Sequence, residues 1–233
     1  MSTTRLALDQ AMYERRDQVH RSLNGKRRYE MQLLANTTSP YVRIARMCLI
    51  EKGIGIEPAI VDPWADDERL RAANASTRVP TLITDDGTPL TESLLIALWL
   101  ETTRPPPKHP SLVGNDPTGV LSRAGMAMGV IDAAVHTIII RKVTAPALFD
   151  ETPIGLRRRR TMAEGMERLE ALAAAGKFDT SAALLLDVMV VVVALDYLDF
   201  RFTQVPWLRP MPALRAVAAT FSEFPAVART RPL

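Results

Sequence analysis

A serine set directly before a proline and an aromatic residue, Ser39-Pro40-Tyr41-Val42-Arg43, opens the first stretch of this chain whose residue types suit chemistry. It stands where an expected strand gives way to an expected helix. A hydroxyl at a helix N-terminus faces partial positive charge from unpaired backbone amides, where an anion is stabilised. There it could donate a hydrogen bond to a bound thiolate and lower that thiol's pKa, each unit being worth about 1.4 kcal/mol. The same serine suits a plain helix cap, with Pro40 in the first turn. A second stretch is Arg78-Val79-Pro80-Thr81-Leu82. A cis Val79–Pro80 bond would turn the Val79 N–H and C=O outward, towards a peptide-like ligand added as a strand. A trans proline that opens a strand fits the same letters. The third stretch is Glu92-Ser93. Ser93 suits a carboxylate at a helix start and Glu92 an ammonium, which together match an amino-acid head group; Thr91 also suits a cap there.

The elements that would position these residues follow from pattern. Tyr29 to Leu33 alternates apolar and polar at period two, as a half-buried strand does. Asn36 to Pro40 is a loop, and Tyr41 to Lys52 a helix stopped by Gly53 and Gly55. A strand fits Glu57 to Val61, and a short helical or irregular connection fits Asp66 to Ala73. Pro80 to Thr84 and Thr88 to Leu90 make a hairpin across Asp85-Asp86-Gly87, and a helix runs from Leu94 to Glu101. The order β-α-β-(α)-β-β-α is an α/β layer on a mixed sheet. Arg104-Pro105-Pro106-Pro107 forbids helix continuation and marks a boundary. Beyond about residue 117 the chain reads as helix only: Val120 to Lys142, Pro153 to Ala175, Ser181 to Tyr197 and Pro212 to Phe221. The division is an extension at 1–28, an α/β domain at 29–104, a linker at 105–116 and an all-helical domain at 117–233.

Bulk composition narrows the chemistry. The 233 residues are 47% hydrophobic and 24% charged, with 29 basic and 26 acidic side chains and a net charge of +3. Lys26-Arg27-Arg28 and Arg157 to Arg160 lack aromatic interleaving and read as solvated helix faces, so no nucleic-acid partner is expected. Cys48 is the sole cysteine, which excludes an internal disulfide and a thiolate metal cluster. His20, His109 and His136 have no ligand spacing, so no metal is expected. Leu184 to Leu195 is too short to span a bilayer and contains Asp187; a buried helix is expected, and no membrane partner. No apolar stretch follows Met1, and a cytoplasmic setting is expected.

Taken together, the three stretches resemble the glutathione transferase family in order and spacing. Glu51-Lys52-Gly53-Ile54 and Asp85 to Leu90 add to the likeness across residues 29–104. Gly129 to Val135 and Tyr197 to Arg201 extend it more weakly into the helical part. The resemblance implies a thioredoxin-like first domain of the serine-type active site, an all-α second domain, and a homodimer. It implies that Ser39 activates the thiol of glutathione, a co-substrate, for attack on an electrophilic, apolar second molecule in a detoxification-type reaction. Val79 before Pro80 would hold the cysteine backbone, Glu92 and Ser93 the γ-glutamyl end, and Arg78 would approach the glycine carboxylate. In some serine-type classes the working hydroxyl lies two positions earlier, which here is Thr37. A non-catalytic binding member of the family and a glutathione-dependent peroxidase are the alternatives. The family's buried helix usually opens with Ser/Thr-x-x-Asp. Leu184 breaks that box before Asp187, and Asp179, Thr180 or Ser181 is expected to cap instead. Ser39 to Val42 holds no thiol, so dithiol exchange is excluded, and Cys48 reads as a packed core residue.

Overall fold

Strand β1 (Gln32–Ala35) forms the middle of a four-stranded sheet because it is apolar on both faces. Leu33 and Ala35 join the main core, while Leu34 packs on the opposite face with Val61 and Leu70. The computed structural model describes residues 30–145, 149–181, 183–203 and 205–231. The extension at 1–28 and Tyr29 lie outside them. Period-two alternation had set the first strand at Tyr29 to Leu33. It begins instead at Gln32 and runs to Ala35, and the continuous Leu33-Leu34-Ala35 run is the signal that mattered.

The chain continues through α1 (Pro40–Glu51), β2 (Ala59–Ile60), α2 (Glu68–Ala73), β3 (Thr81–Ile83), β4 (Pro89–Thr91) and α3 (Ser93–Thr103). Sheet order is β2-β1-β3-β4, with β1 parallel to β2 and antiparallel to β3, and β3 antiparallel to β4. This is a thioredoxin-like α/β layer. Gly53 ends α1 at φ +71, and Ile54 N–H returns to the Leu49 carbonyl at 2.8 Å, so the left-handed glycine closes the helix.

Five helices follow among the described residues: α4 (Pro117–Val143), α5 (Pro153–Ala174), α6 (Leu186–Arg201), α7 (Pro212–Thr220) and α8 (Pro225–Ala228). α4 is long and apolar enough to cross a bilayer, but it packs along α5 and α6, which accounts for its apolarity. α6 is buried nearly throughout and also packs on α1. The start of α6 departs from expectation. It begins at Leu186, not near Ser181, and its N-cap Leu185 offers no side-chain bond. Asp179 accepts from the Ser181 N–H and hydroxyl and closes a separate turn. Asp187, with no exposed surface, accepts from the Val188 N–H and from Arg123 Nε of α4 at 2.7 Å. Burial pushes the Asp187 carboxyl upward, and Arg123 opposes that shift. An ion pair from a neighbouring helix thus stands where the capping box would be.

Lys52, which caps α1 and has no exposed surface, ties that helix to α3 and to the segment that leads out of the α/β layer. Its Nζ donates to Glu101 Oε2 at 2.6 Å and to the Arg104 and Pro110 carbonyls at 3.0 and 2.6 Å. Glu101 accepts in turn from the Ser111 hydroxyl and the Leu112 N–H. All three ammonium donors are thus satisfied. Removing one partner of such a pair strands the other. Lys52→Met is expected to cost about 3–5 kcal/mol in urea unfolding; a loss under about 1 kcal/mol would show that the bridge is not structural.

Candidate functional site

The register of the sheet gathers the three chemical stretches at one end. Leu34 of β1 faces Thr81 of β3, and Thr81 faces Thr91 of β4. The residues just past these pairs are the 36–39 loop, Val79–Pro80 and Glu92–Ser93. Sequence separation of about fifty residues is therefore erased by two antiparallel pairings.

Ser39 is the N-cap of α1, in extended backbone at φ −76, ψ 122, with Pro40 as the first helical residue. Its Oγ accepts from the Val42 N–H at 3.3 Å. A hydroxyl that accepts through a lone pair keeps its own proton to donate elsewhere. Capping and donation are compatible, so neither reading of Ser39 excludes the other. Thr38 is committed otherwise: its N–H and hydroxyl both go to Asn36 Oδ1, at 2.9 and 3.0 Å. Thr37 is exposed on the same loop.

The Val79–Pro80 bond is cis, Val79 is half-buried and Pro80 buried. Among the described residues no other backbone group takes up the Val79 N–H or C=O. A brace behind this turn escaped the sequence reading. Asn74, 7% exposed, donates from Nδ2 to the Arg78 carbonyl at 3.0 Å and to Thr81 Oγ1 at 3.2 Å. Thr81 Oγ1 donates to the same carbonyl at 2.9 Å. The only available signal was a lone amide ahead of the Arg78-Val79-Pro80 stretch.

Glu92 is the N-cap of α3, at φ 65 and without a side-chain cap bond. This corrects the assignment of the cap to Thr91, which ends β4. A non-glycine residue held in the left-handed region carries backbone strain that marks functional turns. Ser93 is 2% exposed as the first residue of α3. Arg78 and Glu92 lie 3.8 Å apart, both largely exposed, a pairing worth little in water and easily exchanged for a ligand.

Two partners of α1 also went unassigned in the sequence. Tyr41 donates to Asp132 Oδ1 of α4 at 2.6 Å, and Arg43 Nη1 donates to Asp196 Oδ2 of α6 at 2.6 Å. Asp132 lies within the quoted 129–135 run, yet nothing in that run marks it as a tyrosine partner. Cys48 is fully buried, with its thiol pushed up to about 12 chiefly by burial, so it is no nucleophile at neutral pH. Among the described residues no His, Cys, Asp and Glu group is arranged to hold a metal.

Comparison with known proteins gives this geometry a context. The sequence model of the family described as "Glutathione S-transferase, N-terminal domain" matches residues 38–103. A curated relative, the uncharacterized GST-like protein YibF of Escherichia coli K12, is 27% identical over 205 residues, 87% of this chain and 98% of its own. A glutathione S-transferase from Methylobacillus flagellatus KT, crystallised with glutathione bound, superposes with a TM-score of 0.76 at 25% identity, covering 88% of this chain and 100% of the other. One from Methylobacterium radiotolerans, in complex with glutathione sulfonate, gives 0.75 at 25% identity over 87% and 94%. A family member from Pseudomonas fluorescens Pf-5 with bound glutathione gives 0.70 at 26% identity over 88% and 100%.

The Tyr41 phenol is shifted well above its ordinary value, first by burial and then by the hydrogen bond to Asp132. A raised folded-state pKa favours the protonated form, so its contribution to stability is intact below pH ~10 and is lost as pH rises beyond it. Tyr41 is expected to stay protonated in an ultraviolet phenolate titration until the fold is lost in strong alkali. A Tyr41 phenolate forming at ordinary tyrosine pH in the folded protein would contradict the Asp132 bond.

Proposed function

We propose, from the premise that this chain belongs to the glutathione transferase family, that it binds glutathione and activates its thiol for attack on an electrophilic carbon. The observation that carries this reading is Ser39, a hydroxyl at the positive end of α1 whose bond to the Val42 N–H leaves its own proton free. Glutathione lies extended across the end of the sheet. Its cysteine backbone pairs with the Val79 N–H and C=O. The γ-glutamyl carboxylate meets Ser93 at the α3 N-terminus, and the ammonium meets Glu92. Arg78, released from Glu92, reaches towards the glycine carboxylate.

The chemistry then needs little from the protein beyond position and charge. Ser39 donates to the sulfur as its proton leaves to solvent, and the α1 amides add to the stabilisation. The thiolate forms a carbon–sulfur bond while the leaving group departs with its electron pair. Ser39 is a donor throughout and never a nucleophile. Thr37 is the competing hydroxyl, further out on the loop.

Thiolate absorbance of bound glutathione tests the reading directly. Its titration is expected to fall at least one unit below the free thiol's ~8.5 in the wild type and to return towards it in Ser39→Ala. The unaltered shift in Ser39→Ala, with loss in Thr37→Ala, would transfer the role to Thr37. No shift in the wild type would sink the activation claim.

The chain is also proposed to act as a homodimer. Leu95 and Leu98 on α3 and Leu121 on α4 are each more than half exposed, an uncommon exposure for leucine on helices otherwise packed. Light scattering is expected to give twice the chain mass at micromolar concentration, and Leu98→Glu to shift the protein to monomer. A monomeric wild type under those conditions would refute it.

A further inference from the structure

A chamber of about 90 Å³ opens at the N-terminus of α1, bounded by the 36–39 loop, by Pro58 and Ile60 at β2, and by the C-terminal segment. At ~10–15 Å³ per water it has room for about six to nine waters or for one small polar group with its stem. Its lining is basic and hydroxylic, with Arg43, Arg46 and Arg231 beside Ser39, Tyr197 and Thr230. None of these arginines is used by the glutathione site described above.

Arg43 is the informative one. Its side chain is only 6% exposed. Nη1 donates to Asp196 and Nε to Thr230 Oγ1 at 3.4 Å, but Nη2 is buried with no hydrogen-bond partner among the described residues. A guanidinium donor left unpaired away from water is costly, and native structures tolerate it where a water, an ion or a ligand completes the set. Around it the positive charges outnumber the acids. Arg46 is held below its ordinary pKa by burial first, with Arg229 and Arg43 repelling it and Glu57 opposing. Arg46 Nη2 donates to the Arg229 carbonyl at 3.3 Å. Arg231 Nη2 donates to the Ser222 carbonyl at 3.0 Å and lies 3.9 Å from Glu223, whose own side chain is 92% exposed. Asp196, Glu57 and Glu223 are thus the acids at hand, and Asp196 alone pairs with the buried guanidinium.

We propose that this chamber is a carboxylate-binding site, formed by Arg43, Arg46 and Arg231, which seats an acidic group carried by the second substrate. The assignment of the occupant rests on the thiol-transfer reading; the anion site itself does not. Ser39 lines the same chamber, so a carboxylate held there sets the rest of its molecule beside the sulfur. Planar, two-oxygen carboxylates match the guanidinium fork, and each lost charge-assisted bond weakens binding by about tenfold or more. The expected substrate class is an electrophile with a carboxylate at one end and a displaceable group at the other.

Two measurements on the full chain test this. Benzoate binding is measured by calorimetry in the wild type, in Arg46→Gln/Arg231→Gln, and in the charge-keeping Arg46→Lys/Arg231→Lys, with circular dichroism confirming each fold. Glutathione is then offered para-(chloromethyl)benzoate or its methyl ester. The sulfur–carbon bond forms, chloride leaves with the bonding electrons, and the thiol proton passes to solvent. Saturable benzoate binding, weakened about a hundredfold in the glutamine variant and partly kept in the lysine variant, supports the site. A kcat/KM ratio of acid to ester near ten or above, falling towards one in the glutamine variant, supports its link to the second substrate. Absent or variant-insensitive benzoate binding, with ester turnover proceeding, overturns the carboxylate site and leaves the glutathione reading standing. Benzoate binding lost in the glutamine variant, with neither electrophile turned over and no shift in bound thiol pKa, overturns the thiol-transfer reading and keeps the anion site.

Discussion

A single ammonium group shut away from water fixes where the chain leaves the α/β layer. Lys52 closes the C-terminus of α1, and its three protons reach Glu101 on α3 and two carbonyls of the connecting segment. The connection therefore cannot drift, and α4 begins where the α/β layer dictates. α1 is cross-linked again at its other end, by Tyr41 to Asp132 and Arg43 to Asp196. One helix is thus tied to α3, α4 and α6 by polar bonds at both ends, with an apolar middle between. The hydroxyl that caps its first turn inherits that rigidity.

Much of this was legible from letters alone, for reasons that differ between elements. The β3–β4 hairpin announced itself through Asp85-Asp86-Gly87, where local turn chemistry decides structure. The 40–51 helix did so through Pro40 and Gly53, which act at its ends. β1 was misplaced because a central strand buried on both faces loses the alternation that marks strands. The start of α6 was misplaced because no local cap sets it. A carboxylate paired with Arg123, sixty-four residues earlier, does so instead. The three chemical stretches could be found, but their convergence depends on pairings between distant strands, and the Asn74 brace depends on a turn no short pattern reveals.

The electrostatics around α1 are organised by which groups are already committed. Tyr41's phenol is engaged with Asp132, so the aromatic near Ser39 acts as a strut between α1 and α4. Thr38 is engaged with Asn36. Ser39 keeps a donor, and Arg43 keeps one too, deeper in. These two free donors flank the same helix start, one suited to a soft anion and the other to a hard one.

Cys48 turns out to matter by what it withholds. The sole cysteine of the chain is sealed in the core against Met189, with a thiol that does not ionise near neutrality. The folded protein consequently contributes no thiolate of its own near neutrality. A thiolate formed in a mixture of this protein and a small thiol belongs to the small molecule.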